Sequence, residues 1–513
     1  MVRVATVPTG RQGRRPRQFP MKILFVATEC VPFCKTGGLA DVIGALPKEL
    51  RKRRHDVRII LPKYRTIRGQ EFGIKEAHEQ VHIPIGNRIE TGDIRMTKTD
   101  KKIPVYFIHH EGYFGRSGIY RTSAGDYPDN DERFLFFCRA VLEACKAMEF
   151  RPDVIHLNDW QTGLIPVYLK TFYQRDSFFQ HTRSVMTIHN IAYQGIFPKT
   201  VMDLAHLDWA DFIPEKLEFY DQVNFLKAGL VYADVLTTVS PTYAQQIKSG
   251  YDYGRGLEGI LQHRSQDLKG ILNGLDVEEW NPAKDLFLAR PFDSTTLNTR
   301  VENKIALQQA CHLPVNPDIP VLGLVARFDP QKGVDLLADI VPDLLKRKTQ
   351  IIVLGQGDLV LQARLEMLEK DYPDSFRIRS DFNEPLAHQI YGGCDLFLMP
   401  SRFEPCGLGQ LIAMRYGAIP VAANTGGLRD TISPVTPETG TGFLFQMGSA
   451  PAFLGAIQEA LHWWSDKARW SAIQKRAMNS DFSWDAAVES YLQLYRTVLG
   501  RSPQLRERAK RRS

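Results

Sequence analysis

The feature that most constrains the fold of this chain is a regular alternation of short apolar runs with helical stretches. The runs lie at 22–28, 57–61, 104–108, 153–157, 184–188 and 234–239 in the first half, and at 320–326, 350–354, 376–379, 394–399, 419–423 and 442–445 in the second. Near-continuous apolar strands that alternate with helices are typical of parallel sheets covered on both faces. The sequence therefore predicts an α/β fold built on parallel sheets.

The length of the chain and a gap in the pattern predict two domains. At 513 residues the chain exceeds the size of a single hydrophobic core. The segment from about 270 to 318 contains Asn273-Gly274 and Trp280-Asn281-Pro282 and lacks a clear strand. We therefore expect an N-terminal domain over residues 21–273 and a C-terminal domain over residues 274–483.

Both ends of the chain are basic, and we expect them to be disordered extensions. Residues 1–20 contain five arginines and no acidic residue, and residues 500–513 are also rich in arginine. A nucleic-acid-binding arm is disfavoured, because no aromatic residues alternate with the C-terminal charges. The first segment has the composition of a transit peptide, which would indicate a plastid; the alternative is that Met21 is the natural start.

Composition favours a cytoplasmic protein with no membrane-spanning segment. No apolar run approaches the length of a transmembrane helix. The seven cysteines are an odd number and have no metal-type pairing, which favours a reduced compartment and argues against a zinc site. Neither a membrane nor a nucleic acid is expected as a partner, and the oligomeric state stays open.

Two strand-to-helix turns carry the same Gly-Gly-Leu sequence. Lys35-Thr36-Gly37-Gly38-Leu39 follows the first apolar run, and Thr425-Gly426-Gly427-Leu428 follows the run at 419–423. Free amides at a helix N-terminus favour anions, and glycine permits close approach of a ligand to the backbone. Either turn alone is more simply explained as an ordinary connection. Their repetition, and the lysine in the first, favour two similar halves that face one anionic substrate.

Two further loops of the second half place charged residues directly after strands. Arg327-Phe328-Asp329-Pro330-Gln331-Lys332 carries two cations suited to bracketing a diphosphate. Ser401-Arg402-Phe403-Glu404-Pro405-Cys406-Gly407-Leu408 precedes a helix, and its proline and glycines predict a helix start. Glu404 there could hold sugar hydroxyls or face a developing positive centre; the alternative is a glutamate favoured by the helix dipole.

The first half supplies a matching set of polar strand ends. Asn158-Asp159, His189-Asn190 and Asn273 each follow an apolar run. In open parallel sheets, ligands bind beyond the carboxyl ends of the strands. These residues and those of the second half therefore predict an active-site cleft between the two domains.

Two other motifs fail their context tests. Gly254-Arg255-Gly256-Leu257-Glu258-Gly259 matches a dinucleotide-binding pattern, but no strand is predicted before it. Asp129-Asn130-Asp131 matches the metal-binding pattern of some sugar transferases, but the residues after it predict a helix start rather than a metal loop. We therefore expect no metal site.

With these residues in place, the chain closely resembles bacterial glycogen synthases and plant starch synthases, the glucosyltransferases of family 5. The resemblance runs from Met21 to about Leu499. It rests on several motifs in order: 35–42 (KTGGLADV), 189–195 (HNIAYQG), 224–229 (NFLKAG), 238–243 (TVSPTY), 273–276 (NGLD), Arg327 with Lys332, and 401–408 (SRFEPCGL).

The resemblance implies a GT-B architecture, in which two Rossmann-like domains face each other across the active site and a C-terminal helix, here about 484–499, returns to the first domain. It implies transfer of glucose from ADP-glucose to the 4-hydroxyl end of an α-1,4-glucan such as glycogen or maltodextrin. The anomeric configuration is retained, and neither a metal nor another cofactor is required. The usual picture is front-face attack within an ion pair, in which the leaving phosphate accepts the proton.

The resemblance also assigns roles to individual residues. Arg327 and Lys332 would stabilise the leaving diphosphate, His189 and Glu404 would hold the donor glucose, and Asp159 would lie near the reacting centre. The implied substrate-binding residues are Lys35, Gly37, Gly38, Asn190, Asn273, Phe382, Cys406, Gly407, Leu408, Thr425, Gly426 and Gly427. Among these, Phe382 falls where the family places an aromatic ring against adenine.

The chain departs from the family pattern at three places. Gly409 stands where threonine is common, Arg429 replaces a smaller residue, and the stretch 379–384 is unusual beside the nucleotide pocket. These departures leave the preference between ADP-glucose and UDP-glucose open. Two alternatives to the implied activity remain: a related transferase with another donor or a short acceptor, and a catalytically weak glucan-binding protein.

Overall fold

The computed structural model describes residues 20–122, 124–381 and 383–500, and the basic ends lie outside them. Buried apolar side chains form two separate clusters. One runs from Met21 to Ile271 and includes part of the final helix, and the other runs from Leu275 to Met478. The change from one cluster to the other falls in the segment where no strand is predicted.

The first cluster surrounds a nine-stranded sheet. In spatial order its strands are Leu268–Gly270, Val235–Thr238, Arg183–Ile188, Val154–Asn158, Lys22–Val26, Asp56–Pro62, Pro104–His109, Arg88–Lys98 and Lys75–Ile85. The seven strands from Leu268–Gly270 to Pro104–His109 run parallel, and the last two are antiparallel. The predicted parallel core is therefore confirmed, and the antiparallel edge is an addition to it.

The second cluster surrounds a six-stranded sheet that is parallel throughout. In spatial order its strands are Phe376–Arg379, Gln350–Leu354, Val321–Val325, Leu396–Met399, Ile419–Ala423 and Phe443–Phe445. Two small antiparallel sheets lie outside the main ones, formed by Ile196–Pro198, Gln222–Asn224 and Glu218–Phe219, and by Arg121–Thr122 and Gly125–Asp126. All six predicted strands of the second half are present, within two residues of their expected ends.

Helices cover both main sheets. Those of the first unit are Gly38–Lys52, Glu111–Phe114, Asn130–Ala147, Leu164–Lys170, Val201–Leu204, Phe225–Tyr232, Pro241–Gln246, Tyr251–Gly254, Glu258–His263 and Trp484–Gly500. Those of the second are Arg300–Ala310, Val334–Leu345, Leu359–Asp371, Glu384–Gly393, Gly409–Arg415, Gly426–Thr431, Ala450–Ser465 and Lys467–Met478. Short 3₁₀ turns occur at Trp160–Thr162, Trp209–Asp211, Leu297–Thr299 and Pro330–Lys332. No helix among the described residues is both long and apolar enough to cross a membrane.

The chain crosses between the two units twice, and the two crossings touch. The backbone N–H of Leu275 in the first crossing donates to the carbonyl of Phe482 in the second, at 2.7 Å. The final helix, Trp484–Gly500, then packs on the first unit, where the Tyr495 hydroxyl lies 2.6 Å from Nδ1 of the buried His156. The two crossings therefore lie against each other in the structure.

Candidate active site between the two sheets

The carboxyl ends of the two parallel sheets face each other across one cleft. A side chain placed on Gly38 of the first turn would lie 3.8 Å from Leu408 of the opposite unit. Further along the cleft, the Asn190 side-chain amide donates to Gln331 Oε1 at 3.1 Å. The structure therefore brings predicted site residues from both halves together.

The most direct contact within the site joins Lys332 to Glu404. The lysine Nζ lies 2.6 Å from Glu404 Oε2, and the Ser401 hydroxyl donates to the same oxygen at 3.0 Å. The Glu404 side chain is only 7 % exposed, whereas that of Lys332 is 21 % exposed. Lys332 ends a 3₁₀ turn that is capped by the side chain of Asp329. The lysine is thus held at the floor of the cleft with its charge beside a buried carboxylate.

The side chain of Arg327 is more exposed than that of Lys332. It follows the strand Val321–Val325, its side chain is 51 % exposed, and its nearest carboxylate oxygen, on Asp329, is 3.4 Å away. It lies beside Tyr193, which belongs to the first unit. An exposed guanidinium suits binding of an anion, because its fork of donors matches phosphate oxygens.

Asp159 adopts a backbone conformation that is essentially restricted to glycine, with φ of 58° and ψ of −179°. In that conformation its Oδ1 accepts a hydrogen bond from the His189 backbone N–H at 2.7 Å, and the carboxylate also accepts from the Asn190 N–H. Burial raises the pKa of Asp159 to about 7 despite these donors. Strain of this kind persists where the surroundings enforce it, which often occurs at functional sites.

The ring of His189 is held in one tautomer. Its Nε2 lies 2.9 Å from Asn158 Oδ1, and the Asn158 amide group donates to the Val26 carbonyl. Oδ1 is therefore the acceptor, so the His189 proton is on Nε2 and Nδ1 is the basic nitrogen. Burial lowers the pKa of His189 to about 3, so the ring is neutral and Nδ1 can accept a hydrogen bond.

The first Gly-Gly turn contains a carboxylate that the sequence analysis missed. The buried Glu29 accepts hydrogen bonds from the Thr36 N–H and hydroxyl, from the Gly37 N–H at 3.1 Å and from the Tyr120 hydroxyl at 2.7 Å. Two of the amides expected to meet an anion are therefore already used. A side chain on Gly37 would meet nothing within 4 Å, so the space in front of the turn is open.

Lys35 of this turn is half exposed and pairs with Asp41 at 2.7 Å. The available signal for Glu29 was an acidic residue directly after an apolar strand and six residues before a lysine. An acid at this place does not by itself predict a role in an anion-binding turn.

The second Gly-Gly turn does not present free amides to the cleft. The Gly426 N–H donates to Gln246 Oε1 at 3.1 Å, and the Gly427 N–H donates to the Glu404 carbonyl at 3.1 Å. The Thr425 hydroxyl is likewise bonded to Gln246. Protein acceptors occupy these donors in this arrangement, and the anion contact expected at this helix N-terminus stays a prediction.

The segment before Gly409 also differs from expectation. Its helix begins at Gly409 with Leu408 as the cap, so Pro405 lies ahead of the helix rather than at its start. Gly407 has a φ of 75°, and a side chain there would lie 2.4 Å from Gln410. Cys406 is buried and belongs to the first apolar cluster although it follows a strand of the second sheet.

Asn273 lies next to Cys406, and its backbone N–H donates to the cysteine sulfur. Burial raises the pKa of the Cys406 thiol to about 12, which makes it a poor nucleophile. The Asn273 Oδ1 is buried and has no partner among the described residues. Phe382, the predicted adenine contact, lies outside the described residues.

The two rejected motifs have the structures that their contexts predict. Asp129 stands at the N-cap position of the helix Asn130–Ala147 without a capping side-chain hydrogen bond, and Arg116 contacts both of its carboxylate oxygens. Residues 254–259 span the end of one short helix and the start of the next. Within residues 20–122, 124–381 and 383–500, no group of three or more histidine, cysteine, aspartate or glutamate side chains could hold a metal ion.

Comparison with known proteins agrees with this architecture. Residues 22–263 match the family model described as the starch synthase catalytic domain, and residues 312–477 match glycosyl transferases group 1. The chain is 46 % identical over 479 residues to glycogen synthase 2 of Geobacter metallireducens, covering 93 % of this chain and 99 % of that protein. It is 44 % identical over 491 residues to the glycogen synthase of Thermotoga petrophila, covering 94 % and 99 %.

Among solved structures, the chain is similar to the catalytic domain of starch synthase IV from Arabidopsis thaliana bound to ADP and acarbose. The TM-score is 0.87 at 32 % identity, and the match covers 94 % of this chain and all of that one. A sucrose-phosphate synthase from Thermosynechococcus elongatus shares the fold at a TM-score of 0.59 and 18 % identity. By these near full-length matches, the chain belongs to the glycogen and starch synthase family, hexosyltransferases with the GT-B fold.

Proposed function

We propose that the protein transfers glucose from ADP-glucose to the non-reducing 4-hydroxyl end of an α-1,4-glucan, with retention at the anomeric carbon. The observation that carries the proposal is the pairing of Lys332 with Glu404, with open space at Gly37 of the other unit. A cation and a carboxylate together at the strand ends suit a phosphate next to a sugar. The similar starch synthase IV structure is bound to ADP and acarbose, which supports both substrate classes.

The cations supply what the leaving diphosphate needs. Lys332 is already positioned, and Arg327 is exposed and can move onto phosphate oxygens. Positive charges placed where negative charge develops stabilise the transition state. We therefore include in the proposal that catalysis needs no metal ion or other cofactor.

The groups proposed to face the sugar act as hydrogen-bond acceptors. Lys332 and Ser401 both contact Oε2 of Glu404, so Oε1 can accept from donor hydroxyls. The neutral His189 offers Nδ1 to another hydroxyl, in keeping with the implied contact near the 6-hydroxyl. We propose front-face attack in which the leaving phosphate accepts the acceptor proton, with Asp159 near the reacting centre.

We also propose a cellular compartment for the protein and a sugar-nucleotide donor. All seven cysteines are free, which supports a reducing compartment such as the cytoplasm. ADP-glucose is proposed as co-substrate on the strength of the family, and UDP-glucose is the alternative because of the departures at Gly409 and Arg429.

The test is release of nucleoside diphosphate in EDTA, with glycogen as acceptor, from ADP-glucose and UDP-glucose in parallel. Glycogen-dependent ADP release supports the proposal. Release of UDP alone would retain the reaction and overturn the donor. If activity requires added Mg²⁺, the metal-independent mechanism is wrong, and binding of glycogen with no release from either donor would favour the catalytically weak glucan-binding protein.

A further inference from the structure

The helix Pro241–Gln246 contacts both sides of the cleft. It belongs to the first unit, and its N-cap is Ser240, at the end of the strand Val235–Thr238. On its own side, the Tyr243 hydroxyl accepts a hydrogen bond at 3.1 Å from the N–H of Ile191, which adjoins His189-Asn190. The helix is therefore tied to the loop that carries the sugar-facing histidine.

On the other side, the same helix makes hydrogen bonds to the second unit. Thr242 donates to both carboxylate oxygens of Asp430, from its N–H at 2.9 Å and its hydroxyl at 2.5 Å. The Gln246 amide donates to the Thr425 hydroxyl, and its Oε1 accepts from the Gly426 N–H, each at 3.1 Å. We call these five residues the clasp.

The clasp leads directly to the backbone of Glu404. Gly426 packs so closely that a side chain there would lie 1.9 Å from the Glu404 carbonyl oxygen. The next amide, that of Gly427, donates to that same carbonyl at 3.1 Å. Gln246 therefore holds the turn that holds Glu404, without touching the reacting atoms itself.

We propose that Gln246 is a positioning residue that couples closure of the cleft to the placement of Glu404. Its two hydrogen bonds cross between units, so separation of the units breaks them. Interactions present only in the closed, reactive arrangement lower kcat when removed and change KM little. The kinetic part of this inference rests on the proposed glucosyl transfer.

The kinetic test is Gln246→Ala, with Gln245→Ala as the matched control, since Gln245 is exposed on the same helix. Loss of two neutral hydrogen bonds should lower kcat by on the order of tenfold, with KM for both substrates within about twofold. Gln246→Glu keeps an acceptor for the Gly426 N–H and should restore kcat to within about threefold of wild type. Wild-type kcat in Gln246→Ala, or an equal loss in Gln245→Ala, would overturn the proposal.

A measurement that does not require turnover separates this inference from the proposed function. Small-angle scattering with ADP alone should give a larger radius of gyration for Gln246→Ala than for wild type or Gln245→Ala. Equal radii would overturn the clasp even if the enzyme is active. If wild type releases no diphosphate from either donor, the proposed function fails, and the scattering comparison still decides whether the clasp holds the units together.

Discussion

Replacing Lys332 by alanine tests the charge arrangement most directly. The lysine Nζ lies 2.6 Å from Glu404 Oε2, and we propose that it meets the leaving diphosphate. At an effective dielectric constant of 20, a charge pair 4 Å apart interacts by roughly 4 kcal/mol. Because the lysine side chain is 21 % exposed, screening reduces this value, and about 3 kcal/mol corresponds to a loss of roughly a hundredfold or more in kcat.

The assay is single-turnover release of ADP at saturating ADP-glucose, which isolates chemistry from product release. Lys346→Ala is the matched control, because Lys346 pairs with Asp343 at a similar 2.7 Å but is 75 % exposed. That control should show unchanged kcat and unchanged melting temperature. A near-normal kcat in Lys332→Ala would refute the role assigned to this cation.

A second variant separates catalysis from folding. In Lys332→Ala the Glu404 carboxylate, 7 % exposed, loses its counter-ion, which should cost about 2 kcal/mol of stability after allowance for the exposure of the lysine. The double variant Lys332→Ala/Glu404→Gln removes the unpaired charge. It should regain melting temperature and should not regain turnover. Recovery of turnover together with stability would show that Lys332 acts only by neutralising Glu404.

Three further outcomes are expected. Gly37→Ala should keep its melting temperature and raise the donor KM by on the order of tenfold, because we propose that the ligand enters the open space there. Gly427→Ala should lower the melting temperature, because its side chain would lie 2.1 Å from the Cys406 carbonyl. Asp159 binds its proton more tightly in the folded state, where its pKa is about 7, than in the unfolded state. Its contribution to stability is therefore full at low pH and falls as pH rises through 7. The free energy of unfolding of Asp159→Asn should gain about 1–3 kcal/mol relative to that of wild type between pH 5 and 8. Deletion of residues 1–20 should leave kcat and KM unchanged.

A specific result would contradict each of these three predictions. Equal melting temperatures for the two glycine variants would show that the second turn is not packed as described. The free energy of unfolding of Asp159→Asn and of wild type can be measured with urea at several pH values. A difference between them that does not change with pH would show that burial does not raise the pKa of this carboxyl. A large loss of turnover after deletion of residues 1–20 would show that the basic extension contributes to catalysis.

The sequence predicts the parallel cores because their strands are apolar along their whole length. The hairpin formed by Lys75–Ile85 and Arg88–Lys98 has no continuous apolar run, because it lies at the edge of the sheet with one exposed face. Its buried residues Val81, Ile83 and Ile85 alternate with the more exposed His82 and Pro84, and the two residues Gly86-Asn87 join the strands. That alternation and turn are the signals that would have revealed it.

The sequence predicts which residues of the site follow strands, but it does not predict which of their side chains contact each other. Lys332 and Glu404 were both singled out as strand-end residues, but their contact depends on how two separate strands meet in the sheet. The second Gly-Gly turn resembles the first in sequence, yet Gln246 from the other unit takes its amide. A partner that comes from a distant segment leaves no local pattern, so only the folded arrangement shows which donors stay free.

The return of the final helix to the first unit sets an order for biosynthesis. The apolar cluster of that unit includes Val488, Tyr491, Leu492 and Tyr495, which are among the last of its members to be translated. After residue 273 leaves the ribosome, residues 274–483 must be made first, which takes roughly 10–40 s at ordinary elongation rates. During that interval the groove for the helix is uncovered, and the buried His156 has no Tyr495 hydroxyl to bond.

The first unit to emerge is therefore the last to be complete. The second unit can bury its own cluster as soon as residue 478 is available, before the first one closes. A nascent chain of this topology depends on protection of one apolar groove for most of its synthesis, and a chain that stops before Trp484 never loses that need.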